Sequence, residues 1–480
     1  NSYGYTSGGR PENIPDLTYE KFIETHRRFY HPSNARIFLD GHMDVEKFLN
    51  YIDEEYLSKY EYRENDFDFK MQTPVASEKT VNYEAQDGEQ ELAHMCVSRI
   101  LCDHNEVEKL YASKILADYL TGSNDAPLKR GILERGLAQD MSMIVNEEMY
   151  QNSFLLVFYN SGEEMFQPIR ESIAELAHKM AEDGLDRAAL RASLERMAFE
   201  NREISEPYGI ELAMKAYAGW LYGDDPLTYI DNADIFDSLR GRIDTGYFED
   251  LLEELLGNAD DKSYLYVLPS LTKGEQDAQA EAEKIDSIVA AWDESQMKQV
   301  YDSFVRMQEW QQTEDTEEAM RSLPHLELSD VPENIKTVDT ELTDVSGVKV
   351  LRVKEDTNGI AYLNMYFDIS DYSAEELQLT SALTASFGEL RTENYAGDEL
   401  QTRIKTAIGS LSARVEVMAK PGDLDECKPY LVVTAGVLEE NMSEAAELLT
   451  ELFTRGRYDE IDKIYETVMQ NEYMIKQALI

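Results

Sequence analysis

Side chains first recur at helical spacing near the start of the chain. Tyr19, Phe22, Ile23, His26, Phe29 and Tyr30 predict a helix, with Thr18 as N-cap, Glu20 in the first turn and Pro32 as stop. Ala35 to Leu39 reads as a short strand ending at Gly41. Asp44 then caps a second amphipathic helix, reaching about Tyr60 and carrying Phe48, Ile52 and Leu57. This helix–strand–helix is too small to close a core alone. The polar, acidic stretch from Tyr62 to Gln90 reads as a linker with one or two short strands.

An internal repeat follows. Its first copy opens with a strand, His94 to Ile100. Next come a helix with Val107, Leu110, Tyr111, Ile115 and Tyr119 on one face, and a short helix around Leu128 to Leu137. Strands near Met143 and at Phe154 to Tyr159 precede a helix carrying Phe166, Ile169, Ile173, Leu176 and Met180. Gly184 breaks that helix, and Leu190, Leu194 and Met197 continue another. The same order returns in the second copy. Its strand is Ala361 to Ile369, its first helix Glu375 to Leu390 after the acidic start at Ser373, and its short helix Leu400 to Ile408. A strand at Tyr430 to Thr434 leads to a helix with Ala445, Leu448, Leu449, Leu452 and Phe453. Gly456 breaks it, and Ile461, Ile464, Tyr465 and Val468 continue. Each copy is a β-α-α-β-β-α-α unit. The predicted fold class is therefore α+β, two-layer domains with an antiparallel-rich sheet and helices on one face. Between the copies lie helices from Ile210 to Leu256 and a strand, Tyr264 to Leu268. Lys273 to Gln312, nearly free of Gly and Pro, predicts a helical hairpin turning at Trp292 to Glu294, its apolar stripes packed on each other.

Composition narrows the chemistry. With 45 Lys and Arg against 95 Asp and Glu, the net charge is −50. Such a surface repels nucleic acid and anionic membranes and attracts cations and basic peptides. No run of 18 apolar residues is present, and no signal peptide is recognisable. Three cysteines, Cys96, Cys102 and Cys427, cannot make a disulfide framework and fit a reducing compartment, the cytosol or an organelle matrix. The chain has no G-x-G-x-x-G, no G-x-x-x-x-G-K-[ST] and no G-x-S-x-G. Cys96 beside His94 and His104 offers a thiol and a base, but on an apolar, central strand the expectation is inert packing. The pairs Asp224-Asp225 and Glu439-Glu440 offer oxygen ligands for Ca²⁺, with solvated loop and helix-start carboxylates as the expectation. The seven histidines are His26, His31, His42, His94, His104, His178 and His325. No two are four apart, so no helix face carries an i, i+4 zinc pair.

Three blocks then carry a family resemblance. Tyr5-Thr6-Ser7-Gly8-Gly9-Arg10-Pro11, Ile14-Pro15-Asp16-Leu17-Thr18-Tyr19-Glu20 and Phe29-Tyr30-His31-Pro32-Ser33-Asn34-Ala35-Arg36 resemble one continuous block of the presequence-protease branch of the insulinase/pitrilysin family. Leu323-Pro324-His325-Leu326 with Ser329-Asp330-Val331, and Thr357-Asn358-Gly359-Ile360, match later stretches, so the likeness covers essentially the whole chain. It implies a zinc peptidase of four related α+β domains in two halves around a chamber, joined by a helical hairpin. Its first domain holds H-x-x-E-H on a helix, two His as zinc ligands and a Glu as general base, and a later Glu completes the metal shell. An Arg/Tyr pair in the fourth domain holds substrate.

None of those positions occurs here. The helices standing where the motif belongs, Val107 to Leu120 and Glu375 to Leu390, contain no histidine. The resemblance thus assigns 1–65 to the tail of the catalytic domain, 66–271 to an inactive second domain, 272–333 to the hairpin and 334–480 to part of an inactive third domain. Asn1 in place of Met and an uncapped helix at Ile480 give the expectation of a segment cut from a longer chain. No catalytic, cofactor-binding or metal residue is expected in it. Zinc belongs to the parent enzyme, and the partners are unfolded peptides and the remaining domains of the same polypeptide. The rival reading is a non-catalytic scaffold or peptide-holding relative of the same fold. The presence or decay of H-x-x-E-H upstream separates the two.

Overall fold

The computed structural model describes residues 6–11, 13–65, 68–73, 75–86, 88, 92–258, 260–331 and 337–478. They fall into a larger unit, 1–81, 91–268 and 357–480, and a smaller one, 82–90 and 269–356.

The larger unit opens with α1 (Tyr19–Phe29) and α2 (Val45–Glu55). The Thr18 hydroxyl accepts from the Lys21 N–H and the Asp44 carboxylate from the Lys47 N–H, so both predicted caps form. The strand expected at Ala35 to Leu39 does not. The backbone there is extended, but no described strand pairs with it.

β1 (Ser77–Glu84) and β2 (Ala93–Asp103) lead to α3 (Val107–Thr121) and α4 (Pro127–Glu134). β3 (Asp140–Asn146), β4 (Gln151–Ser161), α5 (Phe166–Asp183) and α6 (Arg187–Arg202) complete the first repeat copy. α7 (Tyr208–Trp220), α8 (Ala233–Arg242), α9 (Tyr247–Leu256) and β5 (Ser263–Ser270) follow. The sheet order is β1-β5-β2-β4-β3, and β2 pairs antiparallel with both β4 and β5. β2 alternates, with Ala93, Met95 and Val97 on the buried face. The core gathers on α3, whose Leu110, Ile115, Leu116 and Leu120 are fully buried together with Phe154 and Phe158 of β4 and Phe248 of α9. α3 is apolar on all sides because the sheet lies under it and α6, α8 and α9 pack around it.

The smaller unit contains α10 (Lys273–Ala290), α11 (Glu294–Gln312), α12 (Glu317–Ser322) and a hairpin of β6 (Thr340–Val345) and β7 (Val348–Val353). Asp293 and Gln296 form a reciprocal cap at the start of α11. The expected self-packing of the two long helices does not bury their stripes. Ile285, Met297, Tyr301, Phe304 and Trp310 are all exposed. The β6–β7 hairpin is an element the periodicity missed. Its turn residues Ser346 and Gly347 have φ of 55° and 89°, the doubly left-handed two-residue turn that suits strand twist.

The second repeat copy is β8 (Ile360–Asp368), α13 (Ala374–Thr384), α14 (Gly397–Ala407), β9 (Ser410–Lys420), β10 (Asp423–Leu438), α15 (Met442–Arg455) and α16 (Ile461–Ala478). Its sheet order, β8-β10-β9, reproduces β2-β4-β3. Ser373 and Glu376 cap α13 reciprocally. That helix stops at Thr384, short of the expected Leu390, because the Thr384 and Ser386 hydroxyls take the carbonyls of Ser381 and Leu383 and the chain tightens into turns. The two helix-breaking glycines also differ. Gly184 takes φ of 81°, whereas Gly456 is extended and forms an isolated bridge with Thr392.

Candidate functional site

The titratable residues singled out from the sequence are dispersed. Among the described residues, no three His, Cys, Asp or Glu side chains converge in a group that would hold a metal ion. His26 stacks on Tyr30, and the His31 ring accepts from the Ser33 N–H. His94 Nδ1 accepts from the Asn160 N–H, His178 meets Glu253 at 2.7 Å, and His325 lies 3.1 Å from the Met320 carbonyl. These residues do not fit a zinc centre, and no chemical step is drawn through one.

The thiol and imidazole on β2 are inert for a physical reason. His94 and Cys96 share the half-buried face of the strand, opposite Met95 and Val97. Burial lowers the His94 pKa and raises that of Cys96, so both sit in their neutral forms. Burial also pushes Cys102 up to about 11. His104 lies at the far end of the strand and faces other partners.

The acidic pairs are occupied as well. Asp224 Oδ2 is 2.6 Å from His104 Nδ1, and Asp225 accepts from the Leu227 N–H. Glu440 pairs with Arg202 at 3.1 Å, and the Glu439 N–H donates to the Gly359 carbonyl. These are turn and helix-start contacts, with no carboxylates converging on a cation.

One cluster was not read from the sequence. His104 stacks on Tyr150 at 5.0 Å and lies 5.3 Å from the Tyr222 ring. Phe69, from the connection between α2 and β1, inserts beside Tyr150 at 5.4 Å and Tyr222 at 5.0 Å. Gln72 and Gln151 exchange two hydrogen bonds next to it. The cluster pins the linker to the start of β4. Phe69→Ala removes two aromatic contacts worth about 1 kcal/mol each. Limited proteolysis is expected to cut the linker several-fold faster while the melting temperature of the sheet domain stays nearly unchanged. Equal cleavage rates would show that the pin is idle.

Comparisons with known proteins agree on one family. The family model described as "Peptidase M16 inactive domain" matches residues 16–197, and the model for the associated region of subfamily C of the M16 peptidases matches 267–480. The chain belongs to the M16 peptidase family. It is similar to protein HypA of Clostridium perfringens, 28% identical over 99% of this chain and 50% of that protein. It is 30% identical to presequence protease 1 of Arabidopsis thaliana, chloroplastic/mitochondrial, over 90% of this chain and 41% of that one. Among solved structures, pitrilysin matches with a TM-score of 0.44 and 12% identity, over 98% of this chain and 48% of that one. The chain spans about half the length of the curated relatives it matches. As M16 sequence it is of the inactive-domain kind. Among the described residues, no helix is long and apolar enough to cross a membrane.

Proposed function

We propose that this chain is the non-catalytic part of a zinc metalloendopeptidase that degrades unfolded peptides, and that it supplies chamber wall and hinge. The observation that carries this reading is a pair of M16 copies whose leading helices, α3 and α13, hold no zinc ligand. The metal and the general base then belong to residues outside this chain. The net charge of −50 suits a wall that gathers basic peptides. The three thiols are free and suit a reducing compartment.

The remaining domains of the same polypeptide are the proposed partners. Two features support this. α13 exposes Leu379 and Leu383, whereas its counterpart α3 is buried under α8 and α9. β8 has one strand neighbour, whereas its counterpart β2 lies between β4 and β5. Both leave apolar or hydrogen-bonding surface that further chain would cover.

The test compares this chain with its full-length parent for zinc content and for cleavage of a fluorogenic unstructured peptide. One zinc per parent molecule and activity only in the parent are expected. Stoichiometric zinc on this chain alone would refute the reading. A parent that binds peptide without zinc or cleavage would replace it with the scaffold.

A further inference from the structure

Phe199 stands near the end of α6 in the first repeat copy, yet it is almost fully buried in a cluster with Ile360 and Leu438 of the second. Its ring lies against two glycines, Gly409 just before β9 and Gly436 in β10. A Cβ built on Gly409 would fall inside the ring's van der Waals envelope, and one on Gly436 would lie 2.8 Å from the ring's Cζ. Neither glycine has a positive φ, so close approach, not backbone conformation, is what their missing side chains permit.

The repeat supplies an internal control. The Gly409 N–H donates to the Gly436 carbonyl at 2.9 Å, as the Gln139 N–H donates to the Tyr159 carbonyl at 3.0 Å. Ser410 faces Gly436 in register as Asp140 faces Tyr159. Gln139 and Tyr159 thus occupy the same two places in the first copy, and both carry large side chains there. Asn160 donates to Gln139, and Tyr159 packs on His94. One register step further, the facing pair Ala93 and Ser161 of the first copy corresponds to Ile360 and Leu438 of the second. The same corner of the sheet is therefore filled by side chains in one copy. In the other it is a socket with a glycine floor and aliphatic walls.

We propose that Phe199 is the knob of a docking device that joins the two repeat copies, and that Gly409 and Gly436 are glycines to receive it. Polar contacts frame the ring. Arg202 pairs with Glu440 at 3.1 Å, and Asn358 donates to the Arg202 carbonyl at 3.1 Å. α14 packs along α6 beside them. A buried aromatic anchor ringed by polar contacts is the arrangement in which one residue carries most of an interface's binding energy. Taken with the proposed function, on which only this last step rests, the device is a second, non-covalent link between the peptidase halves, in addition to the hinge connection.

The test uses the full-length parent with Arg202→Cys and Glu440→Cys in a Cys427→Ser background, and a short bismaleimide. Cross-linking yield reads the docked state. Phe199→Ala and Gly409→Val are each expected to lower the yield about fivefold or more, and the combined variant, whose valine fills the vacated volume, to recover most of it. Parental yield in both single variants overturns the proposal, as does a combined loss equal to the product of the two. If Gly409→Val does not fold, Phe199→Ala decides alone, with Phe199→Leu expected between it and the parent. Yield does not depend on peptide cleavage, so an inactive parent would refute the peptidase reading and leave the docking result standing.

Discussion

Phe158→Ala is expected to cost the first repeat copy about 3–5 kcal/mol and to lower its melting temperature by roughly 10 °C. Phe158 lies in β4 directly opposite Met95 of β2 on one side and Met141 of β3 on the other, and all three are essentially inaccessible. Two flexible thioethers flank the ring, so its removal takes away both its own burial and the sulfur–aromatic contacts of its neighbours. Phe158→Leu keeps most of the volume and is expected to cost about 1 kcal/mol. The second copy shows that the position does not inherently need an aromatic residue. Its counterpart is Ala435, buried in a smaller core with Leu400, Val437 and Leu448. What makes the substitution costly is the fixed set of neighbours, which cannot close over the cavity. Urea denaturation followed by circular dichroism measures it. A loss below about 1 kcal/mol would mean that Met95 and Met141 collapse into the space.

Most of the architecture was legible because it rests on local signals repeated twice. The spacing in α3, the acidic starts before α5 and α15, and the Ser373-to-Glu376 cap each specify an element from residues near in sequence. Elements that need a distant partner were read less well. Ala35 to Leu39 has strand composition but no pairing strand among the described residues. α13 looked longer than it is because Phe387 and Leu390 continue its spacing past hydroxyls that unwind it. The β6–β7 hairpin carried a readable Ser346-Gly347 signal that the alternation of Val and charged residues obscured. The absence of a zinc pair on the repeat helices could be read directly, since two ligands on one helix face must be three or four residues apart. The Phe199 socket could not. Its members lie more than 150 residues apart, and a glycine reserved for a distant ring looks like any other glycine in sequence. The Phe69 cluster was hidden for the same reason, as a lone aromatic in an acidic linker acquires meaning only beside Tyr150 and Tyr222.

The second copy also differs from the first by a longer connection between its leading helices, and a single carboxylate holds that connection in place. Residues 385–396 join α13 to α14, where 122–126 suffice between α3 and α4. Glu393 and Arg457 donate backbone N–H groups to the Arg455 and Arg391 carbonyls, so the connection zips onto the end of α15. Glu451, almost fully buried, accepts from the Asn394 backbone N–H at 3.3 Å and its side chain at 3.0 Å, and from Arg455 at 2.7 Å. Burial alone would raise its pKa. Hydrogen bonds from Thr392, Arg455 and Asn394 to the charged form outweigh that and hold the value at about 2. An unfolded glutamate titrates near ~4.3. The folded value is the lower one, so the stabilisation is complete above the unfolded value and is lost as pH falls from about 5 toward 2. Glu451→Gln puts an amide N–H₂ among groups that are all donors. It is expected to cost about 2 kcal/mol at pH 7, the scale of hydrogen bonds to a charged group. Glu175, Asp368 and Glu376 also have lowered values, so the wild-type curve alone does not isolate Glu451. The difference between wild type and variant does, because those groups titrate in both. That difference is expected to be flat from pH 7 to about 5 and to shrink steadily toward pH 2, tracked by denaturation midpoints in buffers of matched ionic strength. A constant difference down to pH 2.5 would mean that Glu451 contributes through packing and not through its charge.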